Sequence, residues 1–322
     1  MKEIIIILII LVLSSSSNTY SELLDVIRKD VVDKAILYLP KKETRDGLKM
    51  CFAMISTKEK YQLTDIETAY FIYKWIGENI EYDCSKNSEA ISQSCDKVYN
   101  SGKGSSSGIS DLFKMMSTYL KIESGIISGK IKVLEEDNKE MLKIKEYHWN
   151  YILINDKYYL IDVSNGPGIC IGNGFARYQK DFYFATNPEI FIRSHFPDES
   201  KWQLLPKNIT IEQFNSMVIL TDNFYLFGFK TISPNSQIIK GTQINEFILS
   251  YDEIDNISEN AIGYVIYSNG EEDSINYLDY KNEDGKITIK VDLSDKKISY
   301  FVIGSFYLNN ISIVSLYKIK HS

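Results

Sequence analysis

The sequence predicts an α+β protein in which helices packed on an antiparallel sheet are followed by an all-β, sandwich-like domain. Three observations lead there. Helical periodicity persists to Leu120, short strands take over from Gly125, and beyond Leu205 almost every segment reads as strand. A chain of 322 residues suggests two domains, expected over 18–205 and 206–322, behind a leader over 1–17.

Taken in order, Leu24, Ile27, Val31, Ala35 and Tyr38 recur at three- and four-residue steps, which lays an apolar stripe along a helix that Pro40 ends. A second helix is expected near Arg45 to Ile55. Thr64-Asp65-Ile66-Glu67 is a capping box, because the threonine hydroxyl and the glutamate can each satisfy a free N–H of the first turn. Behind it Ile66, Ala69, Tyr70, Tyr73 and Ile76 share one face. The run Gly102-Lys-Gly-Ser-Ser-Ser-Gly108 feeds a fourth helix, with Ile109, Leu112, Phe113, Met116 and Leu120 on its stripe. Strands follow over 126–134, 147–154 and 158–163, and Asn155-Asp156 suits a type I′ hairpin turn between the last two. The remainder predicts strands over 217–221, 224–232, 243–251, 261–268, 274–280, 287–291 and 298–308, with Asp284-Gly285 as a second hairpin turn.

Ile4 to Leu13 is an apolar run of ten residues between Lys2 and the serines 14–17, the pattern of a secretory signal. It is too short to cross roughly 30 Å of hydrocarbon, so a secreted or cell-surface protein with no integral membrane span is expected once the leader is removed. Export makes Cys51, Cys84, Cys95 and Cys170 candidates for disulfides. Three pairings are open, Cys84 with Cys95 closes the shortest loop, and ordinary buried thiols are an equal alternative. Asn208, Asn256 and Asn310 each begin a glycosylation sequon.

Composition narrows the partners. With 44% hydrophobic and 25% charged residues the chain is a folded globular protein, not a disordered or fibrous one. A net charge of −7 without a long basic block leaves no electrostatic footprint for nucleic acid. His148, His195 and His321 are the only histidines, and no Cys or His pair stands at ligand spacing, so no metal is expected. Gly102-Lys103 lacks the earlier glycine of a phosphate loop, and no cofactor is expected either.

Six blocks in order carry a resemblance. They are Trp75-Ile-Gly-Glu-Asn-Ile-Glu-Tyr-Asp83, Ser101-Gly-Lys-Gly-Ser-Ser-Ser-Gly108, His148-Trp-Asn150, Tyr158-Tyr-Leu-Ile-Asp162, Phe182-Tyr-Phe-Ala-Thr-Asn-Pro188 and the stretch from His195-Phe-Pro to Leu205. Together they resemble transglutaminase-like proteins of the kyphoscoliosis peptidase group. The resemblance implies a papain-like core with a Cys at a helix N-terminus and a His and an Asp on neighbouring strands. In such a triad the helix end and the imidazole stabilise a thiolate while the carboxylate orients the imidazole. The residue at the implied nucleophile position is Ser106, and Ser105 to Ser107 read more simply as a run of N-cap serines than as a nucleophile.

At the implied base position the family spacing is His-x-Trp-Asn. With Trp149-Asn150 fixed, that position is Tyr147, and His148 falls one residue late. A two-residue turn at Asn155-Asp156 sets Ile154 opposite Lys157, hence Trp149 opposite Asp162 and Tyr147 opposite Ser164. Opposed residues share a face, so Tyr147 is expected on the side of Asp162 and His148 on the other. Asp162 matches the implied orienting carboxylate, while Trp75, Trp149, Trp202 and His195 read as structural.

The expected function is therefore an exported protein that has lost cysteine chemistry and binds a protein partner or a surface glycan through the old cleft. The alternative is an acyl-transfer or hydrolytic enzyme that uses Ser106, His148 and Asp162.

Overall fold

A computed structural model describes residues 21, 23–39, 46–85, 94–134, 141–171, 174–251, 261–268, 271–272, 276–277, 285–307 and 310–321. The expected leader, Pro40, the sequon at Asn256 and the first residue of the turn at Asp284 lie outside the described residues. The architecture is α+β: a helical opening, a five-stranded antiparallel sheet and a β-rich remainder.

The opening holds α1 (Lys29–Tyr38), α2 (Gly47–Tyr61), α3 (Asp65–Asn79), α4 (Cys95–Ser101) and α5 (Ser106–Tyr119). Leu24 and Ile27 are buried but belong to a separate 3₁₀ turn, and within α1 the buried residues are Val32, Ala35 and Ile36, with Tyr38 turned outward. The stripe read from the sequence therefore splits at the turn. α3 begins in the expected capping box. Glu67 of that box also takes Nε and Nη2 of Arg28, both at 2.6 Å, and these bonds hold its carboxyl down at about 2. α4 has only Val98 and Tyr99 buried, too little periodicity to register as a helix in the sequence.

The strands β1 (Glu81–Tyr82) and β2 (Lys103–Gly104) form a short parallel pair. Next come β3 (Ser124–Leu134), β4 (Leu142–Ile154), β5 (Lys157–Ile161), β6 (Gly168–Ile171), β7 (Gly174–Arg177), β8 (Phe184–Thr186) and β9 (His195–Pro197). The main sheet runs β8-β5-β4-β3-β9. Asn155 and Asp156 take φ of 50° and 60°, as a type I′ turn requires, and Ile154 pairs with Lys157. Register then divides β4 between two apolar layers. Ile152 and Ile154 pack with the helices, whereas Tyr147 and Trp149 join Ile127, Ile131, Leu160 and Phe191 on the opposite face. Asn150 ties the helical layer to the sheet, donating from Nδ2 to the carbonyls of Ser110 in α5 and Gly125 in β3.

Beyond the main sheet the β-rich remainder carries β10 (Ile219–Leu220), β11 (Phe229–Ser233), β12 (Ile238–Lys240), β13 (Asn245–Tyr251), β14 (Ala261–Ser268), β15 (Glu271–Glu272), β16 (Asn276–Tyr277), β17 (Lys286–Val291), β18 (Ile298–Tyr307) and β19 (Asn310–Lys320). One sheet is ordered β10-β19-β18-β14-β15, with β12 on β19 and β16 on β14, and a second is ordered β11-β13-β17. Phe247 and Leu249 of the second face Phe301 and Tyr317 of the first in one core, with the Phe247 and Phe301 rings 4.3 Å apart. Two short helices accompany these strands, one at Ile211–Ser216, ahead of the first expected strand, and one at Asp222–Leu226. The second replaces the first third of the strand expected over 224–232, and Gly228 at φ 82° turns the chain into β11. β19 lies beyond the last expected strand. Val314, Ser315, Leu316 and Tyr317 are buried in succession, so it lacks the alternation that marks a half-exposed strand.

The one disulfide among the described residues joins Cys84 to Cys170, and Cys51 and Cys95 are free thiols. The shortest loop, Cys84 with Cys95, is therefore not the one closed. Pairing follows tertiary placement, which sets the Cα atoms of Cys84 and Cys170 5.6 Å apart across 86 residues of sequence. Among the described residues no helix is long and apolar enough to cross a membrane.

Lys132 of β3 clamps the main sheet to the β-rich remainder. It is 4% exposed, and Nζ donates to the carbonyls of Phe214 at 2.6 Å and Met217 at 2.7 Å. Burial, assisted by Arg193, lowers its amine to about 7. Between that value and roughly 10.4 in the unfolded chain the unfolded state holds more protons, so stability rises with pH across that window. The urea midpoint is expected to climb from about pH 7 to pH 9, with a smaller climb in Lys132→Met. Equal slopes in the two proteins would contradict the burial of this charge.

Candidate functional site

The site forms where the N-terminus of α5 meets β4 just past the end of β5. The pairing of Tyr82 with Gly104, and the bond from the Asp83 N–H to the Gly104 carbonyl, fix the chain entering α5. Ser105 is the N-cap, its Oγ accepting from the Gly108 N–H, which is the role that serines before a helix commonly fill. Ser106 is the first helical residue and is fully buried. Its Oγ accepts from the main-chain N–H of His148 at 3.0 Å.

Asp162 follows β5 and is completely buried. Its Oδ1 accepts from the N–H groups of Ser164 at 2.9 Å and Asn165 at 3.0 Å, and from the Tyr147 hydroxyl at 3.3 Å. Its Oδ2 takes Asn165 Nδ2 at 2.8 Å and stands 3.0 Å from His195 Nε2. The carboxylate thus serves the local turn and also collects two long-range partners from β4 and β9. Neither of those partners is His148.

The four residues singled out from the sequence are placed as follows. Tyr147 points at Asp162. His148 lies on the helix-facing side of β4, touches Ser106 through its main chain and keeps Nδ1 buried without a hydrogen-bond partner. Ser106 Oγ meets the edge of β4 at the His148 N–H, beyond the last residue of β4 that pairs with β5.

The residue that sequence reasoning leaves out of the site is His195. It is 1% exposed, stacked on Phe191 at 4.0 Å and edge-on to Trp149 at 5.3 Å, with Nδ1 2.8 Å from Ser194 Oγ. Its only signal in the sequence is membership of the last resembling block, because the pairing with Asp162 spans 33 residues. Trp75 stacks on Tyr99 inside the helical core, and Trp202 stacks on Tyr151 at 4.3 Å. His321 lies in the β-rich part, with Nε2 2.8 Å from the Ile298 carbonyl.

A cavity of about 570 Å³ opens between the main sheet and the β-rich remainder. Its wall includes Tyr147, Ser164, Asn165 and Ser194 from around Asp162, the disulfide pair Cys84 and Cys170, and the ion pair of Lys180 with Asp222 at 2.5 Å. Ser106 is not part of that wall. Among the described residues no cluster of three or more His, Cys, Asp or Glu side chains could hold a metal ion.

Residues 55–163, which contain α3, α5, β3, β4 and Asp162, match the family model described as the transglutaminase-like superfamily. Human kyphoscoliosis peptidase is 28% identical over 182 residues, covering 55% of this chain and 28% of that protein. Hillarin of Drosophila melanogaster is 25% identical over 186 residues, covering 51% of this chain and 22% of that protein. The chain spans less than a third of the length of these relatives. A solved structure described as a TGase aligns with 14% identity and a TM-score of 0.30, over 44% of this chain and 37% of that one. Residues 55–163, with their order of helices, hairpin and buried aspartate, therefore form a transglutaminase-like domain, and the chain is similar to the kyphoscoliosis peptidase group.

Proposed function

We propose that this is an exported transglutaminase-like protein that has lost cysteine chemistry and uses its cleft, with the adjoining β-rich region, to bind another protein or a surface glycan. The observation that carries the reading is the phenol of Tyr147 on Asp162, in the position where the family resemblance implies a base. A phenol titrates near 10 and holds its proton at neutral pH, so it cannot accept one from a nucleophile. Ser106, at the implied nucleophile position, carries a hydroxyl that needs such a base; it is fully buried, does not line the cavity and accepts from the His148 N–H. The alternative enzyme needs a ring nitrogen of His148 about 3 Å from Ser106 Oγ and close to Asp162. The contact between those two residues runs instead through the main chain.

Purified protein is expected to show no amine incorporation into a glutamine peptide and no peptide hydrolysis that depends on Ser106. Robust turnover abolished by Ser106→Ala would overturn the proposal.

A further inference from the structure

Ser194, His195 and Asp162 form a continuous hydrogen-bonded chain separate from Ser106. Ser194 Oγ lies 2.8 Å from His195 Nδ1, and His195 Nε2 lies 3.0 Å from Asp162 Oδ2. An ionised carboxylate only accepts, so Nε2 carries the hydrogen and Nδ1 of the neutral ring is left as the acceptor. The Ser194 hydroxyl can then donate to Nδ1. A second acceptor, the Phe191 carbonyl, is farther away at 3.5 Å. The imidazole is fixed by Phe191 on its face and Trp149 at its edge. Ser194 is half-buried and lines the cavity, which gives its hydroxyl the access that Ser106 lacks.

We propose that Ser194 is a nucleophile for acyl transfer, with His195 as its general base and Asp162 as the residue that sets the tautomer of the ring. Phe182, Ile190, Phe191, Leu220 and Tyr225 line the same cavity, so the substrate class is an ester with an apolar acyl group. In the first step Oγ bonds to the carbonyl carbon, the Ser194 O–H bond breaks, and the proton moves to Nδ1. The ester C–O bond then breaks and the alcohol leaves with that proton. Water, entering from the open cavity, gives a proton to Nδ1 as its oxygen attacks the acyl-serine, and Ser194 recovers its hydrogen as the carboxylic acid departs. This activity goes beyond the binding reading above: it shares the cavity and Asp162 with it but makes no use of residue 106.

The test treats the full-length protein with a fluorophosphonate and locates the adduct by peptide mass spectrometry, in parallel with p-nitrophenyl butyrate hydrolysis. The adduct is expected on Ser194, and Ser194→Ala is expected to lower hydrolysis by roughly 100-fold or more. Asp162→Asn preserves shape and is expected to lower kcat with little change in KM. No adduct, an adduct on another serine, hydrolysis unchanged in Ser194→Ala, or an unchanged kcat in Asp162→Asn would each overturn the assignment.

Discussion

Replacing Asp162 with alanine is expected to destabilise the protein by about 3–5 kcal/mol, the scale seen when one partner of a buried charged network is removed. The size follows from the number of groups left behind. Two main-chain N–H groups, the Asn165 amide, the Tyr147 hydroxyl and the His195 ring all meet this one carboxylate, which has no exposure of its own. His195 is 1% exposed and Tyr147 is 4% exposed, so neither can readily recover its bond from bulk water. Urea unfolding measures the effect as a fall in midpoint with the slope unchanged. A loss below about 1 kcal/mol, the worth of one ordinary hydrogen bond, would show that the network contributes no more than a single contact.

The second large effect concerns thiol reactivity. If the implied triad framework survives around residue 106, Ser106→Cys combined with Tyr147→His should create an imidazole-paired thiol at a helix N-terminus. Such thiols titrate several units below the ordinary 8.5. At about pH 6 the double variant is expected to react with iodoacetamide on the order of 100-fold faster than Ser106→Cys alone, where burial disfavours the thiolate. The native thiols give little background at that pH. Burial pushes Cys51 up to about 11, and burial with the nearby Asp111 carboxylate raises Cys95. Equal alkylation rates in the double and single variants would mean that the cleft no longer holds an imidazole where a triad needs one.

Both experiments bear on a site that was partly legible in the sequence. The turn chemistry of Asn155-Asp156 fixes the hairpin register, and register with the two-residue pleat decides that Tyr147 and not His148 shares a side with Asp162. The capping box at Thr64 and the serines ahead of α5 place their helices to within a residue or two. Elsewhere local signals fail for identifiable reasons. The strand expected over 224–232 begins as helix, and β19, buried by its neighbours, shows no alternation.

The sequence by itself determined the starts of α3 and α5, the hairpin register and the face of β4 on which each residue stands, because these rest on spacing, caps and turns within a few residues of one another. Only the tertiary structure decided that Cys84 bonds to Cys170, that Lys132 reaches the carbonyls of Phe214 and Met217, and that His195 joins Asp162. Each of those contacts closes a loop of tens of residues. Which groups meet across such a loop depends on how the sheet and the β-rich part pack together, and no local pattern encodes that.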